Sequence, residues 1–153
     1  QENKSYVPYV VETSIGLDRM FLAVFSNSLQ EEALENGTTR TVLKLPAVLA
    51  PYKAAILPLV KKDGLPEVAR QIMDDLKWDF NVFYDEKDAV GKRYRRQDAA
   101  GTPFCITIDH DTLEDNSVTI RHRDTMDQKR IAISDLKEII KKEVAIKTWL
   151  QKM

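Results

Sequence analysis

The chain has 153 residues, of which 43% are hydrophobic, and its 23 basic and 24 acidic side chains leave a formal net charge of -1. These values predict one soluble globular domain with room for an appendage, and they exclude nucleic-acid binding by overall charge, so any such role needs a local basic patch. One cysteine excludes an intrachain disulfide framework, and with only two histidines beside it no zinc-ligand spacing exists. No apolar run approaches the roughly 18 residues of a membrane span.

Two elements are predicted near the start, where the chain begins without methionine and suggests a piece of a longer protein. Residues 6–11 are aromatic and β-branched with one proline, which predicts a short or edge strand. Apolar positions at helical spacing over residues 17–25 predict an amphipathic helix capped by Thr13 or Ser14. Arg19 falls in the first turn of this helix, where a cation opposes the helix dipole and needs an anionic partner.

The middle of the chain predicts a connector and then an alternation of strands and helices. Residues 30–41 are polar and indicate a linker, and prolines make residues 43–52 an extended connector. The elements predicted after it are a strand at 54–60, a helix from 65 to near 78, a strand at 80–84, a basic helix at 89–100, a strand at 104–108, a turn at 109–116, strands at 118–123 and 130–133, a helix capped by Ser134, and a tail at 147–153. The first five form a β-α-β-α-β unit, which is typical of parallel strands with crossover helices.

The predicted fold is therefore α/β, with a mixed sheet of about five strands and three flanking helices. The strand at 118–123 should pair antiparallel with the one before it, because the turn between them is too short for a crossover. Thr107 and Asp109 would then share a polar face with Thr119, Arg121 and Arg123, which makes this face a candidate ligand surface. The basic helix places four cations around Tyr94, and this charge faces either a partner, a carboxylate or water.

Two sets of motifs carry a resemblance to a known family. Residues 11–21, Val-Glu-Thr-Ser-Ile-Gly-Leu-Asp-Arg-Met-Phe, resemble motif 3 of class II aminoacyl-tRNA synthetases. Similarity to the C-terminal anticodon-binding domain of glycyl-tRNA synthetase, in its dimeric eukaryote-like form, lies in Leu-Lys-Leu-Pro from residue 43, Leu-Val-Lys-Lys from 59, Gly-Lys-Arg-Tyr-Arg-Arg from 91, Gly-Thr-Pro-Phe from 101 and Val-Thr-Ile-Arg from 118. The resemblance implies a catalytic-domain remnant at 1–36, made of a strand and a helix, a linker at 37–52 and a class IIa anticodon-binding fold at 53–153.

The first motif implies residues of an activation site. In the family its arginine meets the ATP phosphates, here Arg19, for which an ordinary ion pair with Asp18 or a glutamate is the alternative. Its Glu-x-Ser contacts the amino group of glycine, here Glu12 and Ser14, and Ser14 could also serve as a plain helix cap. The intact enzyme uses ATP and Mg²⁺ to activate glycine and then transfers glycine to tRNA. Motifs 1 and 2 of the class are missing from this chain, so we expect the fragment alone to be catalytically inactive, with no cofactor and no metal site of its own.

The second set implies binding of the anticodon stem-loop of glycine tRNA. Arg121 is the main candidate for reading an anticodon base, with Arg123 and Glu114 as weaker ones. Arg93 and Arg96 could contact backbone phosphate, although solvated or intramolecular ion-pair roles fit them equally well. Non-functional roles are expected for Tyr94 and Cys105 in the core and for His110 and His122 as ordinary histidines.

Two other classes of protein compete with this interpretation. One is a non-catalytic synthetase-like accessory protein that uses the domain for nucleic-acid or protein binding, and the joint presence of Glu12, Ser14 and Arg19 argues against it. The other is a flavodoxin-like small-ligand domain, which lacks support because no glycine-rich phosphate loop follows the strand at 54–60. The resemblance further implies a cytoplasmic enzyme that is a homodimer at full length, without membrane association.

Overall fold

The computed structural model describes residues 3–35 and 37–151. Its helices and strands, in chain order, are α1 Leu17–Ser28, β1 Leu29–Ala33, β2 Thr39–Leu43, β3 Ala54–Pro58, α2 Leu65–Leu76, β4 Val82–Tyr84, α3 Val90–Ala100, β5 Phe104–Ile108, α4 His110–Asp115, β6 Ser117–His122, β7 Gln128–Ala132, α5 Leu136–Val144 and α6 Ile146–Leu150, with a 3-10 turn Ile133–Asp135 before α5. Within the described residues, no helix is long and apolar enough to cross a membrane.

The main sheet has five strands in the order β4-β3-β5-β6-β7. The strand β3 pairs parallel with both β4 and β5, whereas β5 with β6 and β6 with β7 pair antiparallel. This confirms the predicted mixed sheet, in which a β-α-β-α-β unit is followed by an antiparallel extension. Two crossover helices, α2 and α3, connect the parallel strands.

The larger core lies between one face of the sheet and the helices α2 and α5. Alternate residues of β3, β5 and β6 point into it, and they meet the apolar stripes of the two helices. Its fully buried members include Ile56, Leu65, Ile106, Val118, Leu136 and Ile140. Burying side chains of this size stabilises the fold by about 1.5–3 kcal/mol each, so this layer supplies most of the apolar stabilisation.

The helix boundaries follow from special backbone positions. Gly64 precedes α2 with φ 80°, in the left-handed region, and Pro66 occupies the first turn, where its missing N–H costs nothing. Gly101 ends α3, also with φ 80°. A Cβ added at Gly101 would lie 3.1 Å from the backbone oxygen of Leu43, because β2 packs closely against this end of the helix.

Several sequence predictions about the first 52 residues were wrong. Residues 6–11 form no strand, because no neighbouring strand lies beside them within the described residues to accept their backbone hydrogen bonds. The helix α1 begins at Leu17 with Gly16 as its N-cap, so neither predicted residue caps it. The predicted linker contains a hairpin instead, in which β1 and β2 pair antiparallel from Leu29–Leu43 to Ala33–Thr39.

Corrections at the other end of the chain are smaller. The predicted turn at 109–116 contains the short helix α4, which Asp109 and Thr112 stabilise through a reciprocal capping box. Ser134 lies in the 3-10 turn, and Asp135 takes the N-cap position of α5. Part of the predicted tail forms α6, while residues 152–153 lie outside the described residues, as do residues 1–2 and Asn36 at the predicted boundary of the catalytic remnant.

Candidate nucleic-acid interface

The second face of the sheet carries polar side chains on β5, β6 and β7, and α3 covers the part that contains Thr107 and Arg121. In the registers of β5, β6 and β7, Thr107 lies beside Thr119 and Thr119 beside Arg130, while Arg121 lies beside Gln128. These five residues are called the polar face below. At its β3 side, a small apolar cluster of Ala55, Leu57 and Cys105 packs under Tyr94 and Phe83. Burial raises the pKa of the Cys105 thiol to about 12, so the thiol stays protonated and inert, as expected.

Thr119, Gln128 and Arg130 form the open part of the polar face, and carboxylates hold Arg130 there. Its Nη1 donates to both oxygens of Asp109, at 2.8 and 2.6 Å, and its Nε donates to Ser117 Oγ at 2.5 Å. A third carboxylate oxygen, on Asp115, lies 3.3 Å from Nη2. Burial alone would raise the pKa of Asp109, but the hydrogen bonds from Arg130 and Thr112 outweigh it and hold that pKa below its usual value.

Lowering the pH should weaken the fold through this ion pair. Since the folded-state pKa of Asp109 is depressed, its contribution is complete above the unfolded-state pKa of about 3.9 and is lost as the pH falls through the folded-state value. We expect Asp109→Asn to lower the unfolding free energy by about 1–2 kcal/mol near neutral pH. The difference from wild type should vanish in strong acid.

Urea unfolding at a series of pH values measures this effect. Asp127→Asn, in the exposed turn between β6 and β7, is the matched control and should change the pH profile little. A deficit of Asp109→Asn that stays constant from neutral pH into strong acid would contradict the assignment.

Arg121 lies under Tyr94 and is 3% exposed. The centre of its guanidinium is 4.8 Å from the centroid of the Tyr94 ring, and the Tyr94 hydroxyl lies 2.6 Å from Thr107 Oγ1. The guanidinium donates from Nη1 and Nη2 to the two oxygens of Asp98, at 2.8 and 3.0 Å. Asp98 is 0% exposed, so this is a buried bidentate ion pair between α3 and β6.

Two more of the predicted tRNA-binding arginines are buried. Arg123 donates to the backbone oxygens of Gly101 and Leu45, both at 2.8 Å, and pairs with Asp124. Arg93 is 1% exposed and donates to the backbone oxygens of Pro58, Asp85 and Leu59. Both guanidinium groups therefore donate hydrogen bonds to backbone oxygens of this chain.

Comparison with known proteins decides what this arrangement belongs to. Residues 53–143 match the family model described as anticodon binding domain. The chain belongs to the anticodon-binding domain family. This match covers the five-stranded sheet and the helices α2 to α5, and it starts after the β1–β2 hairpin.

Relatives of this anticodon-binding domain include glycine–tRNA ligases. The one from Borrelia hermsii is 53% identical over 139 residues, which are 91% of this chain and 31% of the relative. Those from Clostridium beijerinckii and Geobacillus thermodenitrificans are 56% and 52% identical over 90% and 95% of the chain, and 29% and 31% of their own lengths. The chain thus spans about a third of the length of these curated relatives.

Solved structures share the fold of the anticodon-binding domain at lower identity. The RNA binding domain of threonyl-tRNA synthetase from Cryptosporidium parvum is 24% identical, with a TM-score of 0.59 over 65% of this chain and 25% of that one. Prolyl-tRNA synthetase from the same organism is 20% identical, with a TM-score of 0.62 over 74% and 29%. These likenesses confirm the predicted fold class.

The remaining predicted tRNA-binding residues of the anticodon-binding domain are exposed. Arg96 donates to Asp88 and Asp85, at 2.9 and 2.6 Å, so it has intramolecular partners as well as access to solvent. Glu114 is exposed on α4, next to the acidic partners of Arg130.

Tyr94 is half-buried over the small apolar cluster, and both histidines are exposed: His110 lies beside Asp63, and His122 contacts the Phe104 ring edge-on.

The residues assigned to glycine and ATP lie outside the domain core. Glu12 and Ser14 are exposed in a segment without helix or strand, and Arg19 is exposed in the first turn of α1. They do not by themselves enclose a nucleotide. Among the described residues, no group of three acidic, histidine or cysteine side chains could hold a metal ion.

Three residues of this region were missed from the sequence. Asp98 is the one acidic residue of α3, which was a local signal, but nothing local showed that Arg121 would meet it. Arg130 alternates with the apolar Ile131, so the sequence placed Arg130 on the polar face of its strand. It did not show which side chains of other elements Arg130 would meet. Arg40 carried no signal, because its surroundings suggested a linker.

Proposed function

We propose that this domain recognises the anticodon of glycine tRNA as part of a glycine–tRNA ligase of the dimeric, eukaryote-like type. The family match over residues 53–143 carries the proposal, and the identities of 52–56% to glycine–tRNA ligases support the choice of amino acid. The parent enzyme would activate glycine with ATP and Mg²⁺ in the cytoplasm and act as a homodimer. The accessory-protein alternative gains no specific support from the described geometry.

The open part of the polar face suits the reading of unpaired bases. Sequence-specific RNA recognition uses hydrogen bonds to exposed base edges, with aromatic groups nearby, while phosphates are held by free cations. Arg130 is oriented by carboxylates and its charge is balanced, so its contribution should be directional rather than electrostatic. Gln128 and Thr119 offer further donors and acceptors on the same face, and Glu114 is exposed on α4, which precedes β6.

In our proposal, the three buried arginines stabilise the structure around the open part of the polar face. Arg121 holds Tyr94 and joins β6 to α3, and Arg123 and Arg93 tie backbone segments together. A direct contact of any of the three with tRNA stays a prediction, which requires release from the present partners. Arg96 keeps its predicted role as a phosphate contact, because it is exposed.

The catalytic residues are proposed for the parent enzyme only. Arg19 would meet ATP phosphates, and Glu12 with Ser14 would meet the amino group of glycine. Since these residues stand without an enclosing site, the 153-residue chain should show no glycine-dependent ATP–pyrophosphate exchange. Exchange above the background of a heat-inactivated sample would contradict this.

Titration with RNA at one fixed salt concentration tests anticodon recognition. The glycine tRNA anticodon stem-loop should bind more tightly than the same stem-loop with altered anticodon bases. Arg130→Gln should weaken the cognate complex by about 1–3 kcal/mol, roughly 5-fold to 150-fold, and relax the base preference. Lys129→Gln is the matched control, since Lys129 is exposed on the opposite side of β7, and its affinity should stay close to wild type.

The outcomes separate the function from the site. Equal binding of both stem-loops by the wild type would refute anticodon recognition. Equal losses in Arg130→Gln and Lys129→Gln would move the site away from the polar face. Arg121→Ala should lose stability together with affinity, because Arg121 supports this face through Asp98 and Tyr94.

A further inference from the structure

The helix α1 joins the anticodon-binding domain without a flexible joint. It ends at Ser28, and β1 begins at the next residue. The backbone N–H of Lys44, just after β2, donates to the Ser28 oxygen at 2.7 Å, which fastens the junction from the other strand. The orientation of α1 therefore depends on the β1–β2 hairpin.

Arg40 of β2 fastens this hairpin to the rest of the domain. It is 2% exposed, and its guanidinium reaches four different residues. Nε donates to Glu32 at 2.7 Å within the hairpin, Nη1 to Asp98 of α3 at 3.1 Å and to the Arg123 oxygen at 2.8 Å, and Nη2 to the Asp124 oxygen at 3.3 Å. One side chain thus connects the hairpin, α3 and the segment after β6.

Packing supports the same attachment. Val42 and Leu43 of β2 are buried, and Leu43 lies against Gly101 at the end of α3. The shared carboxylate of Asp98 receives Arg40 from the hairpin and Arg121 from the polar face. The hairpin lies outside the residues matched by the family model, yet it is built into the domain through buried charge.

We propose that Arg40 is a positioning residue that fixes the direction of α1, and with it Arg19, relative to the polar face. The positioning of α1 by Arg40 follows from the contacts of Arg40 described above. The importance of this positioning for aminoacylation rests on the proposed function. In a full-length ligase, this attachment would set how the bound tRNA is presented to the activation site. The residue acts through Asp98 and the hairpin, without touching substrate.

Distance measurements between spin labels test the positioning. Labels on Ala23→Cys in α1 and Glu138→Cys in α5 occupy exposed sites, and the buried Cys105 thiol does not react. Wild type should give one narrow distance distribution, and Arg40→Gln should widen it at least twofold. Arg95→Gln is the matched control, because Arg95 is the exposed partner of Asp98, and its distribution should remain narrow.

A second variant separates an effect on the position of α1 from a general loss of folding. Arg40→Lys keeps the charge but cannot reach all four acceptors, so it should fold and widen the distribution to an intermediate degree. A distribution in Arg40→Gln as narrow as that of wild type overturns the proposal. So does an unfolded Arg40→Lys, which would show a general requirement for folding instead.

Kinetics of the full-length ligase test the functional part. Arg40→Gln should lower kcat/KM for tRNA at least 10-fold, while glycine-dependent ATP–pyrophosphate exchange and the affinity of the 153-residue chain for the stem-loop stay within twofold. An unchanged kcat/KM would overturn the functional part. If the wild-type chain binds no stem-loop, the proposed function fails, whereas the distance distributions still decide the positioning.

Discussion

Replacing Asp98 with alanine should lower the free energy of unfolding by about 3–5 kcal/mol. The carboxylate is fully buried and accepts hydrogen bonds from Arg121, at 2.8 and 3.0 Å, and from Arg40, at 3.1 Å. Its removal leaves two buried guanidinium groups without their shared anion. The penalty is large because Arg121 then loses the carboxylate that offsets its desolvation and Arg40 keeps only Glu32 and backbone oxygens, not because the ion pair is intrinsically strong.

Urea unfolding of Asp98→Ala and of Arg95→Ala compares the loss of a buried charge with the loss of an exposed one. Arg95 also pairs with Asp98, at 3.5 Å, but its side chain is exposed, so its loss should cost no more than about 1 kcal/mol. Similar small losses in both variants would show that Asp98 is not the centre of the buried network.

Replacing Arg93 with methionine should cost about 2–3 kcal/mol of unfolding free energy. Methionine keeps much of the side-chain volume, so the loss reports mainly the hydrogen bonds to the Pro58, Asp85 and Leu59 oxygens, at 2.7, 3.0 and 3.2 Å. These bonds join the ends of β3 and β4 to α3. The value stays moderate because Arg93 Nε is buried without a hydrogen-bond partner among residues 3–35 and 37–151, and its removal relieves a cost.

Arg96→Met, three residues further along α3, is the matched control. Its ion pairs with Asp85 and Asp88 are exposed, so its loss should cost at most about 1 kcal/mol. At a temperature where both variants are folded, Arg93→Met should bind the stem-loop like wild type if Arg93 keeps its backbone partners when RNA binds. A reduced salt dependence of binding in Arg93→Met, with little loss of stability, would instead establish a phosphate contact.

The sequence predicted the fold well where one periodicity dominates. The apolar spacing of α2 buries one consistent face, and the β-branched run of β5 is buried on both faces of the sheet, so their type and order were confirmed. The β1–β2 hairpin was missed because β1 is largely exposed and polar, and its place depends on backbone pairing and on Arg40. The segment at 6–11 was assigned to a strand from local propensity alone, although a strand also needs a partner.

The candidate site was predicted in outline and differs in its members. Alternation along β6 correctly separated Thr119 and Arg121 from the apolar Val118 and Ile120. It could not show that Asp98, 23 positions earlier, folds over Arg121 and removes it from the surface. The pattern of charges along one strand shows which side chains share a face of that strand. Whether a charged side chain is buried depends on which other element packs over that face.

The strand order also determines how the sheet is protected at its margins. Its outer strands are β4, with three residues, and β7, which carries Gln128, Lys129 and Arg130. A short strand and a charged one are both poor templates for the addition of a foreign strand, because pairing would be brief or would bring unbalanced charges together. Arg130, which our proposal assigns to RNA, and Lys129 on the other side of β7 therefore also help to keep the domain from joining its sheet to another.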